Sequence, residues 1–184
     1  GGTTQSIDIT TSGSYIVSVY DNTGCYTASD AYTVNASNVQ PPDICVVTVD
    51  SATGMNMVVW EKPSSTAIDS FYIYKESNVA GVYDQIGAQS VNDFSTFVDN
   101  AANPMVRAYR YQIAIVDSCG NFTAPSSHHL TIHLTINMGL NNSYNLIWTP
   151  YTGFSYGTYN IYRGTSPSNL SLLTSIASSY LSYT

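Results

Sequence analysis

Apolar and polar residues alternate in short runs along most of the chain, and turn-forming residues separate these runs. Ser14–Tyr20 reads SYIVSVY, and Tyr109–Asp117 reads YRYQIAIVD. Successive side chains of a β-strand point to opposite faces, so this alternation indicates strands with one buried face. The Gly, Asn, Asp, Pro and Ser clusters between the runs are typical of antiparallel turns. Helical periodicity is nearly absent, and the sequence predicts an all-β chain of antiparallel β-sandwiches.

Seven such runs lie between residues 44 and 133, which is the strand count of a small β-sandwich. We predict strands at Ile44–Asp50, Met55–Glu61, Ser70–Lys75, Val82–Ile86, Ser95–Val98, Arg107–Asp117 and His128–His133. Their alternation also predicts which side chains face the core. The predicted inward set is Val58, Trp60, Phe71, Ile73, Tyr109, Tyr111, Ile113 and Ile115.

The pattern then begins again, 88 positions later. Trp60 precedes Tyr74 by 14 positions, and Trp148 precedes Tyr162 by the same 14. An interval of this length corresponds to one sandwich module. The second copy ends before a sixth and a seventh strand, so we expect it to be incomplete. We also expect a near-continuous strand over residues 128–136, running from one module into the next.

The N-terminal section is distinct from the two repeats. Ser14–Tyr20 and Cys25–Val34 flank the turn sequence DNTG, which predicts a β-hairpin. Pro41 and Pro42 follow and favour a stiff extended linker, because each proline fixes its own φ and restricts the preceding residue. We therefore expect the final strands of one module in residues 1–38, a complete module in 41–133 and a partial module in 134–184.

Charge is sparse, with a net charge of −7 and 9% charged residues. The five basic residues are scattered along the chain, whereas nucleic acid and anionic membranes are bound by clustered cations. No apolar stretch approaches the ~18 residues of a membrane helix. We therefore expect no nucleic-acid partner and no membrane insertion. The chain begins without Met or a signal peptide, and we expect it to be a fragment.

Several motifs resemble the fibronectin type III family. They are Trp60 in the second strand, Phe71-x-Ile73-Tyr74 in the third, and the run from Tyr109 to Asn121 in and after the sixth. The resemblance covers residues 41–133 well and 134–184 in part. It implies that Tyr111 forms the tyrosine corner of the family, and we expect Trp60, Tyr111 and Trp148 to be structural core residues. No particular ligand follows, since sandwich folds host unrelated functions.

Residues 1–36 resemble the last strands of the Ig-like or PKD-like repeats of large secreted bacterial surface proteins. In those repeats, the cysteine that Cys25 matches pairs with an earlier cysteine. The resemblance implies a long, multi-domain, exported polypeptide. We therefore expect an extracellular or cell-surface location.

Two of the three cysteines are expected to pair. Cys45 starts the first strand of the complete module and Cys119 follows its sixth, two points near the same pole of a fibronectin-like sandwich. A disulfide there would close a long loop and would stabilise the fold by roughly 4 kcal/mol on the chain-entropy model. Two buried free thiols are the alternative.

No catalytic constellation is visible in the sequence. His129 and His133 share a strand face but have no third metal ligand, so we interpret these residues and His128 as surface or edge-strand histidines. There is no Gly-x-Ser-x-Gly elbow for a serine hydrolase. We therefore expect no enzymatic activity and no cofactor. A calcium site between modules, using Asp43 or Asp50, is the alternative.

Tyr72, Tyr74 and Tyr162 are the best candidates for ligand contact. Outward-facing tyrosines can form flat platforms on which sugar rings stack. The alternative is ordinary cross-strand packing on an outer sheet face.

Two functions follow from these features. The first is a non-catalytic structural or adhesion module of a multi-domain secreted or cell-surface bacterial protein, acting as a monomeric unit toward a surface protein or glycan. The second is a spacer or glycan-binding accessory module of a secreted hydrolase.

Overall fold

The computed structural model describes residues 9, 12–34, 39–65 and 67–184, and their regular structure is almost entirely antiparallel β-sheet. This confirms the all-β fold expected from the sequence. The chain divides into two compact units, Gly1–Val39 and Gln40–Thr184. No helix in the described part of the chain has the length and apolarity to cross a membrane.

The described residues of the first unit form four short strands: β1 (Gly13–Tyr15), β2 (Ser18–Tyr20), β3 (Tyr26–Ala28) and β4 (Tyr32–Val34). β2 pairs with β3, and β1 pairs with β4, which confirms the predicted hairpin in its described portion. Asp21 closes the turn because its Oδ1 accepts the backbone N–H groups of Thr23 and Cys25 at 2.8 and 2.9 Å. Gly24 supplies the positive φ of +91° that this turn requires.

Seven strands form the first part of the second unit, which we call the central module. They are β5 (Ile44–Val49), β6 (Asn56–Trp60), β7 (Ile68–Glu76), β8 (Tyr83–Ser90), β9 (Thr96–Asp99), β10 (Arg110–Asp117) and β11 (His129–Leu130). One sheet has the order β5-β6-β9, and the other has the order β11-β10-β7-β8. This division of seven strands into sheets of three and four is that of a fibronectin type III-like sandwich.

The core of the central module lies between these two sheets. Trp60 packs on Phe71 from the opposite sheet, with ring centroids 5.4 Å apart. Seven of the eight predicted inward side chains are at most 2% exposed: Val58, Trp60, Phe71, Ile73, Tyr111, Ile113 and Ile115. The eighth, Tyr109, is only half-buried, because it precedes the first residue of β10 and its ring faces the guanidinium of Arg107 at 4.7 Å.

Five strands form the remainder of the second unit, which we call the C-terminal module. They are β12 (Leu134–Met138), β13 (Tyr144–Trp148), β14 (Thr158–Ser166), β15 (Asn169–Ala177) and β16 (Ser182–Tyr183), with a short 3₁₀ helix at Leu140–Asn142. One sheet has the order β12-β13-β16, and the other contains β14 and β15. These strands correspond in order to β5, β6, β7, β8 and β9 of the central module.

The repeat extends to the irregularities of the strands. A register shift lies between Ile73 and Tyr74 where β7 pairs with β8, and another lies between Ile161 and Tyr162 where β14 pairs with β15. The two shifts are 88 positions apart, which is also the offset between Trp60 and Trp148.

The expected continuous strand over residues 128–136 was wrong. β11 ends at Leu130, β12 begins at Leu134, and the two strands belong to different sheets. The segment between them turns aside because its backbone has other partners. Thr131 binds the backbone of Tyr109, and His133 binds Thr149.

Candidate functional site

The connection between the two modules of the second unit is a hydrogen-bonded junction, which we define as residues 129–133 and 149–154. Leu130 donates its N–H to the carbonyl oxygen of Thr152 at 2.8 Å, and Thr152 donates to Leu130 at 3.4 Å. His133 donates its N–H to Thr149 Oγ1 at 2.8 Å, and Thr149 N–H donates to the His133 carbonyl at 3.1 Å. The residues that link the modules are therefore paired with the loop after β13.

Tyr151 fastens this loop to two strands of the central module. Its hydroxyl accepts the N–H of Val47, on β5, at 3.1 Å. The same hydroxyl lies 2.8 Å from Nδ1 of His129, on β11. Because Val47 supplies a proton to the hydroxyl, Tyr151 can direct its own proton to an unprotonated Nδ1. This arrangement suits a neutral His129 that carries its proton on Nε2.

His129 is enclosed by the junction, with 4% of its surface exposed. The rings of Tyr151 and Phe154 meet it edge-on, at centroid distances of 5.8 and 6.3 Å. Gly153, with φ of +144°, lies so close that a Cβ there would overlap the imidazole. Burial lowers the pKa of His129, and the neighbouring charge of His128 lowers it further, while Asp43 acts in the opposite direction. His129 therefore lies on the edge strand β11, as one of the two interpretations expected, but it is buried rather than at the surface.

A cleft of about 450 Å³ lies beside the junction. Its lining combines β5 side chains such as Val46 and Val49 with rings such as Phe154, Tyr156 and Tyr159, and it includes no charged residue. Burial, followed by the hydrogen bond between its hydroxyl and that of Tyr156, raises the pKa of Tyr159 to about 12. The cleft therefore offers apolar and aromatic contact.

A second polar cluster lies inside the central module. The fully buried Tyr111 donates its hydroxyl proton to Asp99 Oδ2 at 2.9 Å and accepts a hydrogen bond from Asn56 Nδ2 at 2.9 Å. Lys75 forms an ion pair with the same Asp99 oxygen at 2.8 Å. Burial raises the pKa of the Tyr111 hydroxyl far above its usual range. The cluster joins both sheets, since Asn56 and Asp99 belong to one and Lys75 and Tyr111 to the other.

The tyrosine corner falls on a different residue from the one expected. Tyr111 bonds to side chains, whereas the hydroxyl of Tyr109 accepts the backbone N–H of Asn103 at 3.1 Å. A tyrosine corner is defined by such a bond to the backbone a few residues upstream, at the start of this strand. The structure therefore assigns the corner to Tyr109.

The three candidate platform tyrosines lie in two different sheets. Tyr72 and Tyr74 are half-buried on the outer face of β7, and Tyr72 meets the exposed ring of Phe122 edge-on at 5.3 Å. Tyr162 lies on β14 and is 54% exposed. Tyr72 and Tyr74 share one surface, and Tyr162 does not belong to their sheet.

The expected disulfide between Cys45 and Cys119 is not formed, since all three cysteines are free thiols. Cys45 lies at the register shift in β5, where its Sγ donates to Glu61 Oε1 at 3.6 Å. Cys119 is exposed in the turn after β10, where its N–H binds Asp117. Each cysteine is thus held by its own local contacts. Burial raises the pKa of the Cys45 thiol, and Glu61 raises it further.

The potential metal ligands are used for local structure. Within the ranges that the structure describes, no three His, Cys, Asp or Glu side chains cluster as a metal site would require. His133 Nδ1 lies 2.9 Å from the Pro104 carbonyl oxygen, and Asp50 accepts hydrogen bonds from Thr53 in its own turn. The calcium site suggested for Asp43 or Asp50 stays a sequence prediction.

No protein-family model and no curated protein matches the chain. Among solved structures it is similar to the crystal structure of the chicken CNTN1 FN1-FN3 domains, at 12% identity and a TM-score of 0.40. The match covers 90% of this chain and 64% of that one, so this chain spans less than two thirds of its neighbour's length. The strand order and register described above, rather than this likeness, define the class as tandem fibronectin type III-like β-sandwich modules.

Proposed function

We propose that the chain is a non-catalytic structural module of a multi-domain extracellular protein, and that it sets the spacing and direction of neighbouring parts. The observation that carries this proposal is the Tyr151 hydroxyl, which bonds to two strands of the central module across the junction. A flexible linker would leave such backbone groups to water. A paired linker keeps successive modules in one orientation, which suits a stalk or an adhesin.

The wider setting is part of the same proposal. Fibronectin-like modules are common in extracellular proteins, and the N-terminal residues resemble the end of a bacterial Ig-like or PKD-like repeat. We propose a cell-surface or secreted bacterial protein, with a surface protein or glycan as partner. The module works as a monomer and needs no cofactor.

Stretching a single molecule by its two ends tests the structural role. A module that bears load should unfold in discrete steps. Opening the central module should release a contour length on the order of 300 Å, at roughly 3.5 Å per residue. We expect this step at a higher force than the opening of the C-terminal module, which has five strands rather than seven. Gradual extension with no discrete step would contradict a load-bearing role.

A glycan-binding accessory role is the second candidate. Tyr72 and Phe122 expose adjoining rings on the outer face of the four-stranded sheet. Tyr74 lies on β7, the same strand as Tyr72, two residues further along. Such a surface can stack against the apolar face of a sugar.

A glycan screen tests the accessory function. We expect saturable binding by the accessory module, lost in the Tyr72→Ser/Tyr74→Ser double variant and kept in Tyr180→Ser, whose ring is exposed on the other module. Unfolding curves of the same variants show whether a loss reflects the surface or the fold. If no glycan binds the wild-type chain, this second function is excluded for the glycans in the screen.

A further inference from the structure

Two histidines lie at the junction, and their ring nitrogens face groups of opposite hydrogen-bonding character. His129 Nδ1 lies 2.8 Å from the hydroxyl of Tyr151, which also accepts the N–H of Val47 at 3.1 Å. His133 Nδ1 lies 2.9 Å from the carbonyl oxygen of Pro104. A carbonyl oxygen only accepts, so His133 Nδ1 carries a proton in this contact whether or not the ring is charged. His129, by contrast, accepts the Tyr151 proton only while its Nδ1 is unprotonated.

A proton on His129 Nδ1 removes the acceptor of the Tyr151 hydroxyl. That hydroxyl would then face two donors, the N–H of Val47 and the N–H of the charged ring, and its own proton would bond to neither. The ring would also remain enclosed, because His129 is 4% exposed and a Cβ on Gly153 would overlap it. A charge in such a site is disfavoured, since water cannot solvate it. Both effects act against the closed junction.

The electrostatic surroundings of His129 also favour its neutral form. The titratable groups that face His129 or its partner from the neighbouring elements are His128, Asp43, Cys45, Tyr111 and Tyr151. Burial lowers the pKa of His129 most, and the charge of His128 lowers it further. Asp43 acts in the opposite direction, but its side chain is exposed and its attraction is screened by solvent.

Opening the junction would return His129 to water. Tyr151 and Thr152 reach across the junction from the loop after β13 to strands β5 and β11. Once these contacts separate, residues 131–133 remain as the covalent connection between β11 and β12. In the open state the pKa of His129 returns toward its ordinary value of 6.5. The open state therefore takes up a proton more readily than the closed one, and acid favours it by linkage.

We propose that the junction is a pH-sensitive coupling between the two modules. Protonation of His129 breaks its contact with Tyr151 and frees the C-terminal module to reorient about residues 131–133. The modules keep one orientation at neutral pH and move independently in acid, and one proton per chain controls the change. This inference rests on the proposed spacer function and adds the condition under which the fixed spacing is lost.

Nitrogen-15 relaxation of the full chain, recorded between pH 7.5 and about 5, tests the proposal. The ring carbon shifts of His129 in the same samples show whether its side chain has taken up a proton. We expect one rotational diffusion tensor for β5–β11 and β12–β16 at the upper pH. At the lower pH we expect two tensors, each with a shorter correlation time. The amides of β7 and β10 should keep their chemical shifts, because the central module itself stays folded.

Three variants separate His129 from other titrating groups. His129→Gln can still accept the Tyr151 proton but does not titrate, so it should keep one tensor at both pH values. His128→Gln removes only the neighbouring charge and should retain the pH response. Tyr151→Phe removes the hydroxyl and should weaken the common motion at both pH values. The wild-type and His128→Gln chains decide the question even where His129→Gln impairs folding.

Failure of this inference and failure of the spacer function look different. One tensor at the lower pH with His129 protonated would overturn the inference alone, and so would a His129 that is still neutral there. A pH response that persists in folded His129→Gln would assign the effect to another group and would also overturn it. Two tensors already present at the upper pH would instead contradict the spacer function itself.

Discussion

The hydroxyl of Tyr111 illustrates how a single polar atom is accommodated inside the central module. It lies between an amide that donates to it and a carboxylate that accepts from it, and Lys75 balances the charge of that carboxylate. A buried polar group without such partners would cost about 1–3 kcal/mol. These hydrogen bonds form in only one alignment of the two sheets, so the cluster favours that alignment over shifted ones.

Tyr111→Phe tests this cluster. The change keeps the ring but leaves Asn56 and Asp99 each without one hydrogen bond, so we expect the free energy of unfolding to fall by about 1–3 kcal/mol. Urea denaturation measures the loss. Tyr180→Phe, which removes a hydroxyl from an exposed ring, should change stability by less than about 0.5 kcal/mol. Equal stability of the Tyr111→Phe and wild-type chains would show that the cluster contributes nothing.

His129 should make stability depend on pH in a defined window. Burial lowers its pKa in the folded state below the ordinary value of 6.5, so the unfolded chain takes up a proton first as the pH falls. The contribution of neutral His129 to the stability of the fold is fully present above pH 6.5. It declines below that value until the pH reaches the pKa of His129 in the folded state. Carboxylates also contribute to stability, but at more acidic pH. The pKa of Asp50, for example, is lowered by its hydrogen bonds with Thr53, so its contribution is lost only when the pH falls further.

Unfolding curves recorded between pH 7.5 and about 5 measure this effect. We expect the stability of the wild-type chain to fall over that range. The fall should be smaller in His129→Gln, whose amide can still accept the Tyr151 proton but does not titrate. If the free energy of unfolding falls equally with pH in the two chains, His129 is not the cause of the fall.

The free thiols predict an order of reactivity toward a disulfide reagent. The thiolate is the reactive form, and burial raises the pKa of Cys45, whereas Cys25 and Cys119 are exposed. We expect two fast reactions and one slow one in the folded, unreduced chain, and single Cys→Ser variants assign them. Recovery of one reactive thiol instead of three would indicate that Cys45 and Cys119 form a disulfide after all.

At the scale of elements, the alternation of apolar and polar residues was the strongest sequence signal for the positions of the strands. Each of the seven strands of the central module overlaps a run in which the alternation predicted one, and the predicted inward side chains are buried except for Tyr109. This works because a strand buried on one face must repeat every two residues. Predictions were weakest where the backbone leaves the sheet. Residues 131–133 read as a strand, and only their contacts with Tyr109 and Thr149 reveal the turn.

The junction loop could not be derived from alternation, although a signal was present. After Trp60 the first copy continues with the polar sequence EKPSST, whereas after Trp148 the second continues with TPYTGFSY. Three aromatic residues in a loop indicate that the loop is covered by something. The identity of that neighbour depends on the orientation of the two modules, which no local pattern encodes.

Gly153→Ala tests the fit of this loop. A methyl group there would overlap His129, and the φ of +144° is unfavourable for any residue with a Cβ. We expect a loss of about 1–3 kcal/mol in unfolding free energy, measured by urea denaturation. Gly157→Ala is the matched control in the same loop, because a Cβ at that position would meet no atom within 4 Å. Similar losses in both variants would mean that the loop tolerates neither side chain for reasons unrelated to His129.

At the scale of the whole second unit, the chain combines one filled sandwich with one open sandwich. Both derive from the same repeated sequence, yet the central module has seven strands and the C-terminal module has five. The difference appears in their interiors, where Ile73 is fully buried and its counterpart Ile161 is half-exposed. The proposed spacer role depends on the central module and on the junction.

The proposed spacer role requires that the two modules keep one orientation in solution. Nitrogen-15 relaxation of the full chain measures this most directly, because it reports how each module tumbles. We predict that one rotational diffusion tensor describes the amides of β5–β11 and β12–β16 together. Tyr151→Phe should weaken this common motion, and Tyr180→Phe should preserve it. Two independent tensors in the wild-type chain, each with the shorter correlation time of a separate module, would contradict the account.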